Sequence, residues 1–290
     1  WLLTAMLVLA ILAAVIGAAE LHLAWGKLLE TVGGAFDRRF WKAGMARLYS
    51  FSMSPLAAAY LLVLGLAGAI GLAAEDRRRG LVVLGVFCIW QALPLTLARA
   101  AIISAVVAVV AFFLVDRRRG WIVAAASLVG GAIALTTFAA RGWIKHQASY
   151  VAATTRLADG SSKAHVSSLA QGLDLLAQAP LGHGLGQAGH VAMARGGLYP
   201  FDDTYYVTLG VQIGSVGLVV FALVLALALR EWVMEVVRSP RSARGVGYAG
   251  LVMFGSIAWG GLFVATWNML VPQLYFWLLT GVAANLAAKR

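Results

Sequence analysis

Charge is scarce in this chain. Only 12% of its 290 residues are charged, against roughly 25% in an ordinary soluble domain, and 61% are hydrophobic, against about 45–50%. Too little polar material remains to cover a water-exposed globule, which excludes a cytosolic enzyme, a secreted disulfide scaffold and a disordered chain. Cysteine is nearly absent. Cys88 lies inside an apolar run, so it has no partner within the chain, and no Cys/His spacing suggests zinc. The sequence also lacks HExxH, a Walker loop, G-x-S-x-G and a plausible cysteine nucleophile, so hydrolase and NTPase chemistry is unsupported. No basic stretch precedes the first apolar run, which therefore is not a signal peptide. Because the chain opens on Trp1 rather than Met, the expectation is a longer protein of which the N-terminal part is missing.

What is present is a succession of apolar runs. At about 20 apolar residues per membrane crossing, the length leaves room for about eight. They are Trp1–Ala19, Pro55–Ala74, Leu81–Leu93, Leu97–Val115, Trp121–Ala139, Tyr206–Leu229, Val246–Trp267 and Pro272–Ala288. Only Pro94, Leu95 and Thr96 separate the third from the fourth, which predicts a tight helical hairpin. The expected fold is an all-α, polytopic transmembrane bundle.

The net charge of +11 comes from 23 Lys+Arg against 12 Asp+Glu. On a soluble domain it would suggest nucleic acid. Here the basic residues cluster between apolar runs, so the reading is topological, with anionic membrane lipids as neighbours and no nucleic acid. Glu75-Asp76-Arg77-Arg78-Arg79-Gly80 and Asp116-Arg117-Arg118-Arg119-Gly120 are near copies, Arg230 to Arg244 adds four arginines, and Lys289-Arg290 closes the chain. The short turns Gln91–Thr96 and Asn268–Gln273 carry no positive charge. Short-loop Lys/Arg marks the cytoplasmic side, and an eight-span count puts all four clusters there.

That count leaves two long segments outside, Glu20–Ser54 and Arg141–Tyr205. The chain then divides into N-terminal helices (1–140, with the outer loop 20–54), an outer loop (141–205) and C-terminal helices (206–290). The second loop, about 65 residues, exceeds the roughly 15 at which irregular loops are usually functional or carry structure of their own. Within it Ser162–Gln178 reads as an amphipathic helix: His165, Leu169, Gly172, Leu173 and Leu176 recur at helical spacing, Ser161 or Ser162 can cap it, and Pro180 ends it. Leu29–Phe40 reads as a weaker surface helix. Trp143, Trp267, Tyr275 and Trp277 near span ends fit an interfacial aromatic belt.

Few residues are equipped for chemistry. Arg99 opens the fourth span, where a guanidinium either snorkels to headgroups or grips phosphate oxygens through two parallel hydrogen bonds. Gly182-His183-Gly184-Leu185-Gly186-Gln187-Ala188-Gly189 contains a formal GxGxxG but lacks the βαβ setting of a dinucleotide site. Its glycines instead allow backbone amides to approach a ligand or another segment closely. His165 lies on the apolar stripe of the loop helix as a structural histidine or a functional one. His146, His183 and His190 share the loop without metal-ligand spacing, and no metal or cofactor is expected. Asp202 and Asp203 stand before the sixth span, either as carboxylates favoured by the helix dipole or as a general base of raised pKa.

Several local patterns occur in one order. Arg47-Leu48-Tyr49-Ser50-Phe51 and Ser54-Pro55 precede a span, and Leu95-Thr96-Leu97-Ala98-Arg99-Ala100 opens another. Ser161-Ser162-Lys163-Ala164-His165 leads to Ala179-Pro180-Leu181-Gly182-His183-Gly184-Leu185-Gly186, and Asp203-Thr204-Tyr205-Tyr206 begins a span continuing Val211-Gln212-Ile213-Gly214-Ser215-Val216-Gly217. From Arg47 to about Leu223 this resembles the bacterial O-antigen ligase and O-antigen polymerase superfamily. The resemblance implies a GT-C-type glycosyltransferase of the bacterial inner membrane, working on the periplasmic face without a metal. Its donor would be an undecaprenyl-diphosphate-linked glycan and its acceptor a sugar hydroxyl, on a glycan or on lipid A core. Arg99 matches the family arginine that holds the diphosphate. His165 stands where most members carry Arg, and Asp203 where ligases have His before Asn. The resemblance thus implies Arg99, Arg47 and Lys163 as cations for the leaving group, which pre-placed charge can stabilise, and Asp203 or His165 as proton acceptor. Gly184, Gly186 and Asp202 would contribute to substrate binding. Two other classes remain: a transporter or flippase of a lipid-linked or anionic solute, with Arg99 as substrate ligand, and a non-catalytic membrane scaffold. The duplicated DRRRG apart, no repeat of whole spans points to the transporter.

Overall fold

The computed structural model of the chain describes residues 1–22, 41–42, 45–48, 50, 54–140, 160–199, 204–240, 244–263 and 266–288. The expected surface helix over Leu29–Phe40, and His146, Asp202 and Asp203, lie outside these residues. Among the described residues the chain is helical apart from a two-residue antiparallel ladder, Trp41–Lys42 with Met45–Ala46. In order the helices are α1 (Leu2–His22), α2 (Pro55–Ala74), α3 (Arg79–Ala92), α4 (Arg99–Val115) and α5 (Arg117–Ala140). After them come α6 (Gly160–Gln178), α7 (Gly189–Arg195), α8 (Tyr205–Arg238), α9 (Gly245–Gly260) and α10 (Leu270–Ala288).

Among the described residues, five segments are long and apolar enough to cross a membrane: Leu2–Leu21, Pro55–Ala74, Arg79–Thr96, Arg117–Thr137 and Tyr205–Arg238. Three more helices, α4, α9 and α10, are apolar but shorter.

The hub is α2. Ser54 caps it, its Oγ accepting from the Ala57 amide at 3.5 Å, and Pro55 sits at the first helical position, where a missing N–H costs nothing. A helix apolar on every face belongs in a core, and α2 is buried along nearly its whole length, packed by α1, α3, α4, α5 and α9. Among such uniformly apolar helices, small residues permit close backbone approach. The α2–α9 crossing shows this: a methyl on Gly71 would stand 2.7 Å from the Gly245 carbonyl oxygen.

Two pairs fix helix directions. Gly71 meets Gly245 at one end of α2 and α9, and Tyr60 meets Gly260 at the other, so these helices are antiparallel. Phe112 of α4 packs edge-on against Tyr248 of α9, at 5.2 Å between ring centroids, which sets α4 antiparallel to α9. The basic connections 75–80 and 116–120, together with Arg238 and Arg244, therefore gather at one end of the bundle. Arg47, Thr96, Arg99, Tyr205 and Gly260 share the opposite end.

Three sequence expectations change. The third and fourth runs do not form a packed hairpin: α3 and α4 scarcely touch, and each packs on α5 instead. The turn between them, a 3₁₀ segment Leu93–Thr96 followed by Leu97 at φ 55°, offsets the returning helix sideways, so the two run antiparallel with α5 packed against both. The sixth run does not end at Leu229. Helix α8 continues to Arg238 because Leu225, Ala228, Trp232 and Glu235 form a buried stripe at helical spacing, with Trp232 packed on Phe254 and Phe276. Finally, the loop helix α6 spans Gly160–Gln178, but its buried face is rotated. Ser168 and Gly172 are buried, whereas Leu169 and Leu173 are 38% and 50% exposed. The small residues face α8, and the Ser168 carbonyl accepts a hydrogen bond from Tyr199 Oη at 2.9 Å.

Candidate functional site

The first element of the site is a non-helical turn carrying arginines. Pro94 starts the 3₁₀ segment, and the Thr96 hydroxyl folds back on it, donating to the Leu93 carbonyl at 2.7 Å and accepting from the Ala98 amide at 3.3 Å. Thr96 is completely buried, so this hydroxyl serves the backbone. Its carbonyl then accepts from Arg47 Nε at 2.9 Å, while the Leu48 amide donates to the Leu95 carbonyl at 2.9 Å. Leu48, buried against Gly17 of α1, anchors that strand of chain. Three residues past Thr96, Arg99 begins α4. Arg47 and Arg99 are thus brought to one turn from positions 52 apart in sequence, both half-buried.

Below Arg99, along the same helix, an apolar cleft of about 540 Å³ opens between α4 and α9. Ile103 and Val107, one and two turns from Arg99, line one wall, and Trp259 and Val252 the other. Near the same end Ser50, Tyr60 and Thr204 each bury a hydroxyl with no hydrogen-bond partner among the described residues. Buried polar atoms are normally paired, so such a group is suited to a polar ligand or water.

The second element is a break in α8. At 34 residues this helix would run about 51 Å, well beyond a hydrocarbon core of about 30 Å. Gly214 divides it, with φ 72° and ψ −179°, a conformation essentially reserved for glycine. A break strands the carbonyls of the preceding turn, and the Pro180–Gly186 loop supplies their donors. The His183 amide bonds the Val211 carbonyl at 2.8 Å, the Gly184 amide bonds that of Gln212 at 3.1 Å, and the Ser215 amide bonds the Pro180 carbonyl at 2.8 Å. The Gln212 side chain completes the staple, its Oε1 accepting from the Gly186 amide at 3.1 Å. Gly182, Gly184 and Gly186 all have positive φ, as the tight loop demands. Of the two uses open to the glycine cluster, the described contacts fill the second: the amides meet another segment. His183 Nε2 lies 2.9 Å from the Leu175 carbonyl, tying the loop to α6.

The loop helix α6 has its main packing partner in α8. Lys163 is exposed on the first turn of α6, and His165 lies on the same helix. The start of α8 rejoins the Arg99 end through the Tyr205 amide, which donates to the Gly261 carbonyl at 2.9 Å, two residues after Asp203 in sequence. No group of three or more metal-ligating side chains exists among the described residues. Gln212 is the residue that sequence reasoning passed over. Its signal was an amide inside an apolar run, two residues before a glycine.

Comparisons with family models, with curated proteins and with solved structures give no match.

Proposed function

We propose that this chain is an integral-membrane glycosyltransferase. It transfers a glycan from a polyprenyl-diphosphate carrier to an acceptor sugar hydroxyl, in the manner of the O-antigen ligases and polymerases it resembles. The observation that carries the reading is the alignment of a paired-arginine turn with an apolar cleft on one helix: Arg47 and Arg99 at the head, Ile103 and Val107 below. A lipid-linked diphosphate has that polarity, two anionic phosphates ahead of a long hydrocarbon chain. Guanidinium forks suit phosphate oxygens.

In this reading all eight apolar helices cross the bacterial inner membrane, the basic end is cytoplasmic, and the Arg99 end faces the periplasm. The acceptor oxygen attacks the anomeric carbon, the bond from that carbon to the diphosphate oxygen breaks, and the electron pair leaves on the diphosphate. Arg99 and Arg47 stabilise that developing charge, as a metal does elsewhere. The acceptor's proton passes to Asp203 or His165. The loop carrying α6 covers the reacting sugars and keeps out water that would hydrolyse the donor.

The broken helix α8 favours a transporter as second reading, because unwound spans build substrate sites in such proteins. Here, however, the carbonyls of Val211 and Gln212 already receive loop amides, which removes them as ion ligands.

The test is glycan transfer by the purified chain from an undecaprenyl-diphosphate donor, without added metal and with a chelator present. Product formation is expected. A strict need for magnesium or manganese, or vesicle-to-vesicle movement of the donor without transfer, overturns the reading. Asp203→Asn is expected to lose turnover yet bind donor; loss of binding instead assigns Asp203 to capping α8.

A further inference from the structure

The duplicated DRRRG connections take no part in the site above. In the structure they come together at the basic end, where Asp76, Arg79, Arg118 and Arg119 line a polar pocket of about 250 Å³. Three guanidinium groups face one carboxylate there, and that carboxylate is already held by Arg79, at 2.7 Å to Nε and 3.0 Å to Nη2. Arg119 is structural: it donates to the Ala74 carbonyl and lies 3.9 Å from Asp116, pinning the start of α5 to the end of α2. Arg118 is exposed and has no hydrogen-bond or ion-pair partner among the described residues.

The pocket does not stand alone. Arg79, Trp121 and Ile122 also line a second cavity, an apolar groove of about 670 Å³ between α3 and α5. Its shape follows from the sequence. The two helices touch at Gly130, where a methyl would lie 3.1 Å from Trp90 Cβ, and Gln91 Nε2 donates to the Gly130 carbonyl at 2.7 Å. From that contact they splay toward the basic end, and Ala125 and Ala126 leave the space between them unfilled. From Gly80 to Phe87 the groove runs about 10 Å along α3. Trp121, 57% exposed, stands at the junction of groove and pocket, the usual position of an interfacial tryptophan.

A cationic head joined to an apolar slot between helices has the polarity of one lipid molecule. We infer that the α3–α5 groove and its arginine pocket form a specific site for an anionic glycerophospholipid, with the phosphate at Arg118 and Arg79 and an acyl chain between Val83 and Ala125. Basic pockets between membrane helices recognise anionic headgroups through each arginine's attraction to phosphate. The three arginines outnumber Asp76 and Asp116, both already engaged, and this excess selects a net-negative headgroup over a zwitterionic one. This site lies at the opposite end of the bundle from Arg99 and does not depend on the proposed transferase activity.

The test uses the full chain in nanodiscs, with dioleoylphosphatidylglycerol, dioleoylphosphatidylethanolamine or dioleoylphosphatidylcholine as probe and native mass spectrometry to read the lipid retained. One phosphatidylglycerol per chain is expected, retained about tenfold more strongly than the other two. Arg118→Gln, which disturbs no described contact, is expected to lower that retention about tenfold. Ala125→Phe fills the groove without changing charge and is expected to lower it comparably. Glycerophosphoglycerol and inorganic phosphate, which lack chains, are expected not to displace the lipid. Equal retention of the three lipids, unchanged retention in Arg118→Gln, or displacement by inorganic phosphate overturns the inference.

Discussion

At the basic end of the bundle, guanidinium groups meet acids close by in sequence: Arg79 with Asp76, Arg77 with Glu75 at 3.5 Å, Arg119 with Asp116. At the other end Arg47 reaches a carbonyl 49 residues away, and it does so on a turn that also launches Arg99. The first arrangement is repetitive and, Arg119 apart, mostly solvated on its arginine side. The second is built from single residues held by buried backbone, so neither arginine has a substitute nearby. The number of arginines in a segment therefore says little about their use. How each is anchored says more.

The sharpest way to break this contrast is Arg99→Ala. Transfer from the polyprenyl-diphosphate donor is expected to fall by about 10²–10³, the effect of removing one pre-placed oxyanion partner, while the protein still folds. Arg77→Ala, in an exposed local pair, is expected to leave transfer unchanged and to shift stability by no more than about 0.5 kcal/mol. Equal damage by both variants erases the distinction between the ends.

Next in size is Gly214→Ala. An added methyl would lie 2.1 Å from the Pro180 carbonyl oxygen, in a backbone conformation costing roughly 1–3 kcal/mol for other residues. A lower thermal midpoint and faster proteolysis of the 179–189 loop are expected, and an unchanged digestion pattern would separate the loop from the break. Arg47→Lys keeps the charge but loses the Nε–H bonded to Thr96. A loss of about 1.5 kcal/mol in thermal stability is expected, with donor affinity reduced more by Arg47→Gln than by Arg47→Lys.

The smallest effect belongs to Glu75, at the basic end. Desolvation raises its carboxyl above the usual 4.5, and Arg77 opposes the shift. A folded-state pKa above the unfolded one means the folded chain binds its proton more tightly. The corresponding stability is complete below pH 4.5 and is lost as pH rises through the raised value. Glu75→Gln is expected to remove this slope, read as thermal midpoint against pH between 4 and 7. A slope that persists assigns it to another group.

Legibility followed the physical range of each signal. Each of the eight apolar runs contains a helix, though the seventh stops at Gly260, short of Trp267, because composition over about twenty residues is a local property while helix ends are not. The start of α2 was also readable, since Ser54-Pro55 spells its own cap. The rotated face of α6 was not readable. Leu169 and Leu173 look like a core stripe until Tyr199 and α8 are placed against Ser168 and Gly172, and that partnership spans about thirty residues. The α8 break was half visible: Gly214 was on show, but the requirement for positive φ there comes from the Pro180 loop. Arg99 declared itself as a charge at the head of an apolar span. Arg47 entered through the family resemblance, and its contact with Thr96 is a tertiary fact that no local pattern encodes.

The staple at Gly214 also makes the burial of one segment conditional on another. Val211 and Gln212 receive their amide hydrogens from residues translated some thirty positions earlier. Until that upstream segment returns, two carbonyls are naked, tolerable in water but costing several kcal/mol apiece in hydrocarbon. Residues 205–213 and the Pro180–Gly186 loop therefore depend on each other for burial: away from water, neither can be covered until the other is in place. A chain that ends before Val211 would leave the His183 and Gly184 amides without these acceptors.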